Sequence, residues 1–255
     1  MAPSPHNLNP DQFRHHVANV NNFYEATPAD VAKAGSAWYS RVHDMVDSET
    51  KGTSLSPRAG AGIVASTSPG VDWSSANKNV LGDWKSLKTD DFNRLKANPQ
   101  DRGMLKGTSI NKSPTPNILK AQRIADGEDP EDVLQSGGGG YKTHSFFHNI
   151  ADPSDPHPVT VDGRAYDIAK NRMTGWTANR GIASPSKPSK ANYDHMANAY
   201  RAVAAAQSEK QGKPVLPNQV QAVTWEHGKH VELSTPKKDG TKRVKGPTRV
   251  GQPYF

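Results

Sequence analysis

The sequence predicts a mainly α-helical protein, a helical bundle divided into two lobes. Apolar residues recur at helical spacing along most of the chain, and proline or an acidic residue often stands where such a stretch begins. The 255 residues suffice for one substantial core or two small lobes, although only 33% of them are hydrophobic. The 20 prolines and 21 glycines indicate long surface connections between the helices.

Helix signals divide the N-terminal half of the chain. We expect residues 1–26 to form an irregular arm with one short helix near Pro10 to Val20, because Asn, Pro and His are frequent there. Thr27 suits the cap of the next helix and Pro28 its first turn. The other helices predicted in this half cover 57–68, 74–87, 89–97 and 116–127. Thr89 is predicted to cap the third of these.

The C-terminal half contains a glycine run between two predicted helices. Asp129 and Pro130 begin a short helix, and glycines at 137–140 precede a second one at Lys142 to Ile150. Apolar periodicity predicts the remaining elements. These helices run through Tyr166 to Ala169, over 190–210, and from Pro217 onward.

The elements suggest three segments: the arm at 1–26, a helical domain at 27–230 with its hairpin at 129–150, and a basic tail at 231–255. Lysine and arginine outnumber acidic residues in the tail. Its Asp239-Gly240 pair is typical of a short β-hairpin. We expect the tail to contact nucleic-acid phosphates, the alternative being a solvated end.

Composition excludes several functional classes. The 32 basic and 25 acidic residues give a net charge of +7, which favours nucleic acid as a partner. The absence of cysteine excludes disulfides, thiolate zinc sites, iron–sulfur clusters and cysteine nucleophiles. No apolar run approaches the roughly 18 residues of a membrane span, so we expect a soluble, cytoplasmic protein without a membrane partner. The sequence does not indicate an oligomeric state.

The glycine run and the segment after it carry the strongest functional signal. Glycine has no β-carbon, so backbone N–H groups can converge on an anion, and a helix that begins at Tyr141 adds its positive end. One helix and a returning loop separate Lys142 from Asp162. The pattern predicts a phosphate-binding hairpin followed by a catalytic carboxylate.

These residues resemble the helix-hairpin-helix DNA glycosylase superfamily, which includes endonuclease III and the adenine glycosylases. In that family a glycine hairpin precedes Lys-Thr, as in Gly138 to Thr143, and a catalytic aspartate follows valine, as in Val161-Asp162. The stretch from Ile63 to Pro69 resembles the small-residue helix and serine turn that line the family's base pocket. The similarity covers 57–172, and the chain also resembles small proteins of actinobacterial phages, which would place it in the host cytoplasm.

The resemblance implies a two-lobed glycosylase fold and an enzyme that flips a damaged or modified base out of double-stranded DNA. Asp162 would stabilise cationic character on the sugar, and it would also serve as a helix N-cap. The Lys142 amine would attack C1′ and cleave the strand as well, or else bind phosphate as a simple cation. The hairpin would hold a monovalent cation, and no other cofactor is expected. The implied phosphate-binding residues are Gly138, Gly140, Lys142 and Thr143.

Four further residues have competing interpretations. Ser68 belongs to the implied base pocket, and Trp73 suits either a wedge at the extruded base or core packing. His144 and His148 lie four apart on one predicted helix face, but no third ligand has matching spacing, so we predict no metal site. Trp225 lies on an apolar helical stripe and is predicted to be core.

Three functions fit these observations. The first is a DNA glycosylase, with or without activity as a lyase at abasic sites. The second is a relative that binds DNA and is either non-catalytic or modifies nucleotides. The third is a structural or accessory phage protein, whose Pro- and Gly-rich ends contact neighbouring molecules.

Overall fold

The structure is a computed structural model, and it describes residues 9–69, 71, 80–135, 140–171 and 189–234. Within these ranges the regular elements are all helical, which confirms the mainly α-helical class. The glycosylase type of the bundle stays a prediction. The hairpin expected at Asp239-Gly240 lies outside the described residues.

The described residues form twelve α-helices and two short 3-10 helices. The 3-10 helices are Gly103–Leu105 and Ser109–Lys112, between the sixth and seventh α-helices. No helix among the described residues combines the length and the apolar character that a membrane span needs. The α-helices are α1 (Pro10–Glu25), α2 (Ala29–Ser36), α3 (Trp38–Thr50), α4 (Pro57–Thr67), α5 (Val80–Lys85), α6 (Thr89–Ala97), α7 (Thr115–Ala125), α8 (Pro130–Gln135), α9 (Tyr141–Ala151), α10 (Gly163–Ala169), α11 (Lys190–Gln211) and α12 (Pro217–Ser234).

The first helix is longer than the sequence predicted. It continues past Val20 to Glu25, so the described part of the N-terminal segment is helical rather than irregular. The Asn9 side chain caps it by accepting a hydrogen bond from the Asp11 amide at 2.9 Å. Val20 is fully buried, and the helix packs against α11. Tertiary burial therefore stabilises a stretch whose composition favours irregular structure.

Two predicted helix caps were wrong by one residue. Thr27 does not cap α2; its hydroxyl donates to a carbonyl in the last turns of α1 at 3.0 Å, and Pro28 occupies the cap position. Thr89 is the first residue of α6, whose cap is Lys88. The Asp91 carboxylate accepts a hydrogen bond from the Lys88 amide at 2.9 Å and so satisfies a donor at this helix start.

The chain divides into two compact units. The first comprises the described residues up to Tyr39 and from Ser154 onward, and the second those from Ser40 to Pro153. In the first unit α2 packs closely on α12: a Cβ at Gly35 would lie 2.6 Å from the Val223 Cα, which requires glycine there. This contact places α12, which helps to form the site described below.

The small-residue helix α4 is central to the second unit. It packs against α7, α8 and α9, and all residues from Gly60 to Thr67 are buried. A Cβ at Gly62 would lie 2.8 Å from the Pro130 Cβ, so α8 approaches α4 closely at its first residue. The Ser66 hydroxyl donates to the Asn117 carbonyl at 2.7 Å and links α4 to α7. The position of α4 thereby fixes the two helices, α8 and α9, that flank the glycine run.

Candidate functional site

Asp162 lies at the start of α10, and both of its carboxylate oxygens accept hydrogen bonds. Oδ1 accepts from the Ala165 amide at 2.9 Å, which confirms the predicted helix cap. Oδ2 accepts from the indole nitrogen of Trp225 on α12 at 2.9 Å. The side chain is only partly buried. A cap needs one oxygen, so the second hydrogen bond is an additional restraint on the orientation of the carboxylate.

Trp225 is not the core residue that its position on an apolar stripe predicted. Its ring is partly exposed, and it contacts two cations as well as Asp162. The guanidinium carbon of Arg164 lies 4.7 Å from the ring centroid, and Lys229 Nζ lies 4.5 Å from it. An indole has both an apolar face and an N–H donor. The apolar helical stripe predicted burial of the face, but it could not show that the N–H donates to Asp162.

Two buried tyrosines hold the backbone on either side of Asp162. The Tyr193 hydroxyl donates to the Val159 carbonyl at 2.7 Å and accepts from the Val161 amide at 3.1 Å. The Tyr200 hydroxyl donates to the Ala165 carbonyl at 3.1 Å. Burial raises the pKa of Tyr200, and the Asp162 charge acts in the same direction. Tyr200 therefore stays a neutral donor in the first turn of α10.

Gly140 caps α9 at the end of the glycine run. A Cβ at this position would lie 2.5 Å from the carbonyl oxygen of Leu134, so glycine is required by the close approach of α8. Lys142 is exposed and Thr143 is partly buried in the first turn of α9. Gly138, the other predicted phosphate-binding glycine, lies outside the described residues. The structure thus places Gly140, Lys142 and Thr143 together in the second unit, whereas Asp162 belongs to the first.

The predicted base-pocket residues are only partly described. Ser68 follows α4 directly, is buried, and donates a hydrogen bond to the Ala65 carbonyl at 3.3 Å. Trp73 lies outside the described residues. The pocket and wedge roles of these two residues therefore stay predictions.

A cluster that sequence spacing did not reveal joins α8 to α9. Glu131 of α8 contacts both histidines that were predicted to lack a third ligand, and the three ligand atoms lie within 4.8 Å of one another. Glu131 Oε1 lies 2.7 Å from His148 Nε2, and its Oε2 forms a short contact with His144 Nε2. Arg58 NH2 lies 3.3 Å from Oε1. We call Glu131, His144 and His148 the His-Glu cluster.

The electrostatics of the His-Glu cluster favour an ionised carboxylate. Burial raises the pKa of Glu131, but the hydrogen bonds from His144 and Arg58 and the charges of His144 and His148 together lower it below its usual value. Glu131 and His144 lie in different helices on either side of the glycine run, so no fixed spacing connects them. The packing of α8 against α9 is what brings the third residue to the histidines, and helical periodicity does not contain it.

Comparison with known proteins identifies the family of this chain. A family model described as a family of unknown function (DUF7178) matches residues 3–229, which includes Asp162, Trp225 and the His-Glu cluster. No curated protein and no solved structure matches the chain.

Proposed function

The chain belongs to the DUF7178 family, a family of unknown function, and we propose that it is a base-excision enzyme acting on double-stranded DNA. In this proposal the enzyme flips a damaged or modified base out of the duplex, and the Asp162 carboxylate stabilises the positive charge that develops on the sugar. The observation that carries the proposal is the pair of hydrogen bonds that fixes both oxygens of Asp162.

A fixed carboxylate suits this reaction for a specific reason. Breaking an N-glycosidic bond leaves cationic character on the sugar, and a preoriented negative charge lowers that barrier without having to reorganise. Two donors, the Ala165 amide and the Trp225 indole, hold the two oxygens of Asp162 in one orientation. The side chain nevertheless remains partly exposed, so a nucleotide can approach it.

In this proposal the residues at the start of α9 bind DNA. Gly140 caps this helix without a side-chain hydrogen bond, and the exposed Lys142 lies in its first turn, at the positive end of the helix dipole. We propose that Gly138, Gly140, Lys142 and Thr143 bind a backbone phosphate, with a monovalent cation at the hairpin. Such contacts position DNA without reading its sequence, and the net charge of +7 adds attraction.

Lys142 is also proposed to give the enzyme activity as a lyase at abasic sites. Its amine would form a bond to C1′ while the bond from C1′ to the base breaks, and the base would leave with the bonding electrons and a proton. Ring opening then gives the Schiff base from which the strand is cleaved. Lys229 is the lysine to compare with Lys142 for this role, because it lies near Trp225 within the unit of Asp162.

The test is base release from duplexes that contain uracil, an oxidised purine, an alkylated base or a phage-type modified base. Alkali then cleaves the strand wherever a base has been lost. We expect release from at least one of these duplexes, and no product from any of them contradicts the proposal. DNA binding without release would favour the non-catalytic or nucleotide-modifying relative, and neither binding nor release would favour the structural or accessory phage protein.

A further inference from the structure

We propose that the His-Glu cluster is a binding site for a divalent transition metal, with zinc the preferred ion. This inference does not rest on the proposed function, because it concerns other residues and a different chemistry. Glu131 comes from α8, and His144 and His148 come from successive turns of α9. A bound ion would therefore join the two helices on either side of the glycine run.

The separation of the two imidazole nitrogens fits a shared metal. His144 Nε2 and His148 Nε2 lie 3.3 Å apart. Two nitrogens at the usual zinc distance with a tetrahedral angle between them would be separated by about 3.4 Å. The Glu131 carboxylate adds an oxygen ligand beside each imidazole. Two histidines and one carboxylate form a known set of protein ligands for catalytic zinc, and they leave a fourth position for water or substrate.

Several polar atoms converge on one point of the cluster. His144 Nε2 lies beside the Glu131 carboxylate, 3.1 Å from Gln135 Nε2 and 3.3 Å from His148 Nε2. A metal ion bound there would use these atoms together, because both imidazole nitrogens and the carboxylate can act as electron-pair donors to the same ion.

The surroundings of the cluster are compatible with a bound cation. The three side chains are 28 to 29% exposed, so an ion reaches them from solvent. Arg58 contacts the Glu131 carboxylate and holds it in place, as outer-shell partners of metal ligands do. Its positive charge is offset by Asp129, which lies 3.5 Å from the same guanidinium. Imidazole ligands favour zinc over the harder ions magnesium and calcium.

The proposal is tested by titrating zinc into untagged, chelator-treated protein at about pH 7.5, where histidine is mostly unprotonated. Calorimetry should show one ion bound per chain. Glu131→Gln and His148→Ala should each weaken binding by at least about tenfold, which is the smallest effect seen when even outer-shell partners are removed. No zinc binding by the wild-type protein, or zinc affinity equal to that of the wild type in both variants, would overturn the proposal.

Two control variants make the test specific to the cluster. His157→Ala removes a histidine that pairs with one carboxylate, Asp155, at 2.8 Å and is 85% exposed. His16→Gln disrupts a pair of histidines, His16 and His195, whose nitrogens lie 2.9 Å apart. Both controls should bind zinc like the wild type. Loss of binding in His16→Gln with retention in Glu131→Gln would place the ion elsewhere and contradict the proposal.

Cobalt provides a second measurement, and its result in the wild-type protein does not depend on the stability of any variant. Substitution of Co²⁺ for zinc in the wild-type protein should give the intense visible absorption of a four-coordinate ion bound by nitrogen and oxygen. Glu131→Gln is the variant of choice for this spectrum, because it keeps the size of the side chain and the site is partly exposed. A spectrum typical of the hydrated ion in the wild type, or an unchanged spectrum in the variant, would also overturn the proposal.

Discussion

The indole nitrogen of Trp225 donates a hydrogen bond to the Asp162 carboxylate at 2.9 Å and thereby links α12 to the start of α10. This bond distinguishes Asp162 from an ordinary helix cap, whose requirement is met by the Ala165 amide alone. It also joins residues that are far apart in the sequence. If Asp162 acts on DNA, Trp225 is the side chain that sets the direction of its charge.

Replacing Trp225 with phenylalanine should therefore slow base excision more than it reduces stability. A smaller aromatic ring remains and the N–H donor is lost, so the free energy of unfolding should fall by about 1 to 2 kcal/mol, while a misplaced carboxylate can cost up to about 100-fold in rate. Single-turnover excision and chemical denaturation measure the two effects. Tyr39→Phe is the matched control, because it removes a 2.7 Å hydrogen bond to Gln221 elsewhere on α12.

The control should lose stability but keep the excision rate of the wild type. Equal rates in Trp225→Phe and the wild type would show that the indole does not orient a catalytic group. Equal losses of rate in Trp225→Phe and Tyr39→Phe would indicate that α12 stability, rather than the hydrogen bond, limits activity.

The lyase role of Lys142 is tested by trapping the Schiff base with borohydride on abasic DNA. The adduct should form with the wild type and be lost in Lys142→Ala, because the reduced bond joins the amine nitrogen to C1′. Lys229→Ala should still form the adduct. Loss of the adduct in Lys229→Ala with retention in Lys142→Ala would transfer the role to α12, and equal trapping by both variants would exclude each of them.

Gly140 should tolerate no side chain. A Cβ there would lie 2.5 Å from the Leu134 carbonyl oxygen, so Gly140→Ala should force α8 and α9 apart and cost about 1 to 3 kcal/mol of unfolding free energy. Gly103→Ala is the control, because the nearest atom to its new Cβ would be 3.9 Å away. Denaturant unfolding of the two variants compares them directly. A Gly140→Ala protein as stable as the control would show that the close approach of Gly140 to Leu134 is not present in solution.

The free energy of unfolding should decrease as the pH falls, in part because His16 becomes protonated. Burial, followed by the charges of His195, Lys170 and His15, lowers the pKa of His16 to about 4. Because its folded pKa lies below the unfolded value of about 6.5, His16 contributes stability above the unfolded pKa that is lost as the pH falls towards about 4. Unfolding free energies across this range should decline less steeply in His16→Gln. A decline of unchanged slope in the variant would contradict this assignment.

Much of the helical pattern could be predicted because its signals are local. Ser56 and Pro57 begin α4 where the sequence placed a helix start, and the Ser56 hydroxyl accepts from the Ala59 amide at 3.1 Å. The exact caps of α2 and α6 were missed, because threonine is favoured at a cap position but the residue next to it, Pro28 or Lys88, occupies that position in the fold. The extension of α1 to Glu25 depends on packing against α11, which no local signal contains.

The candidate sites were predictable only in part, for a related reason. Asp162 could be identified from a local motif, and its cap was confirmed. Its second partner, Trp225, comes from a distant helix, and an apolar stripe does not show that an indole nitrogen points at a carboxylate. Helical spacing connects His144 with His148, which share α9, but it does not connect them with Glu131, which lies in α8. The sequence therefore did not identify Glu131 as a metal ligand.

The central claim is that the Asp162 carboxylate promotes loss of a base from DNA. Its most direct test is single-turnover excision by Asp162→Asn, on whichever duplex the wild type processes, with DNA binding measured alongside. The amide still caps α10, so folding and DNA affinity should be retained, while the rate should fall by about 100-fold or more because the negative charge is gone. A variant that binds DNA and excises the base at the wild-type rate would contradict the claim.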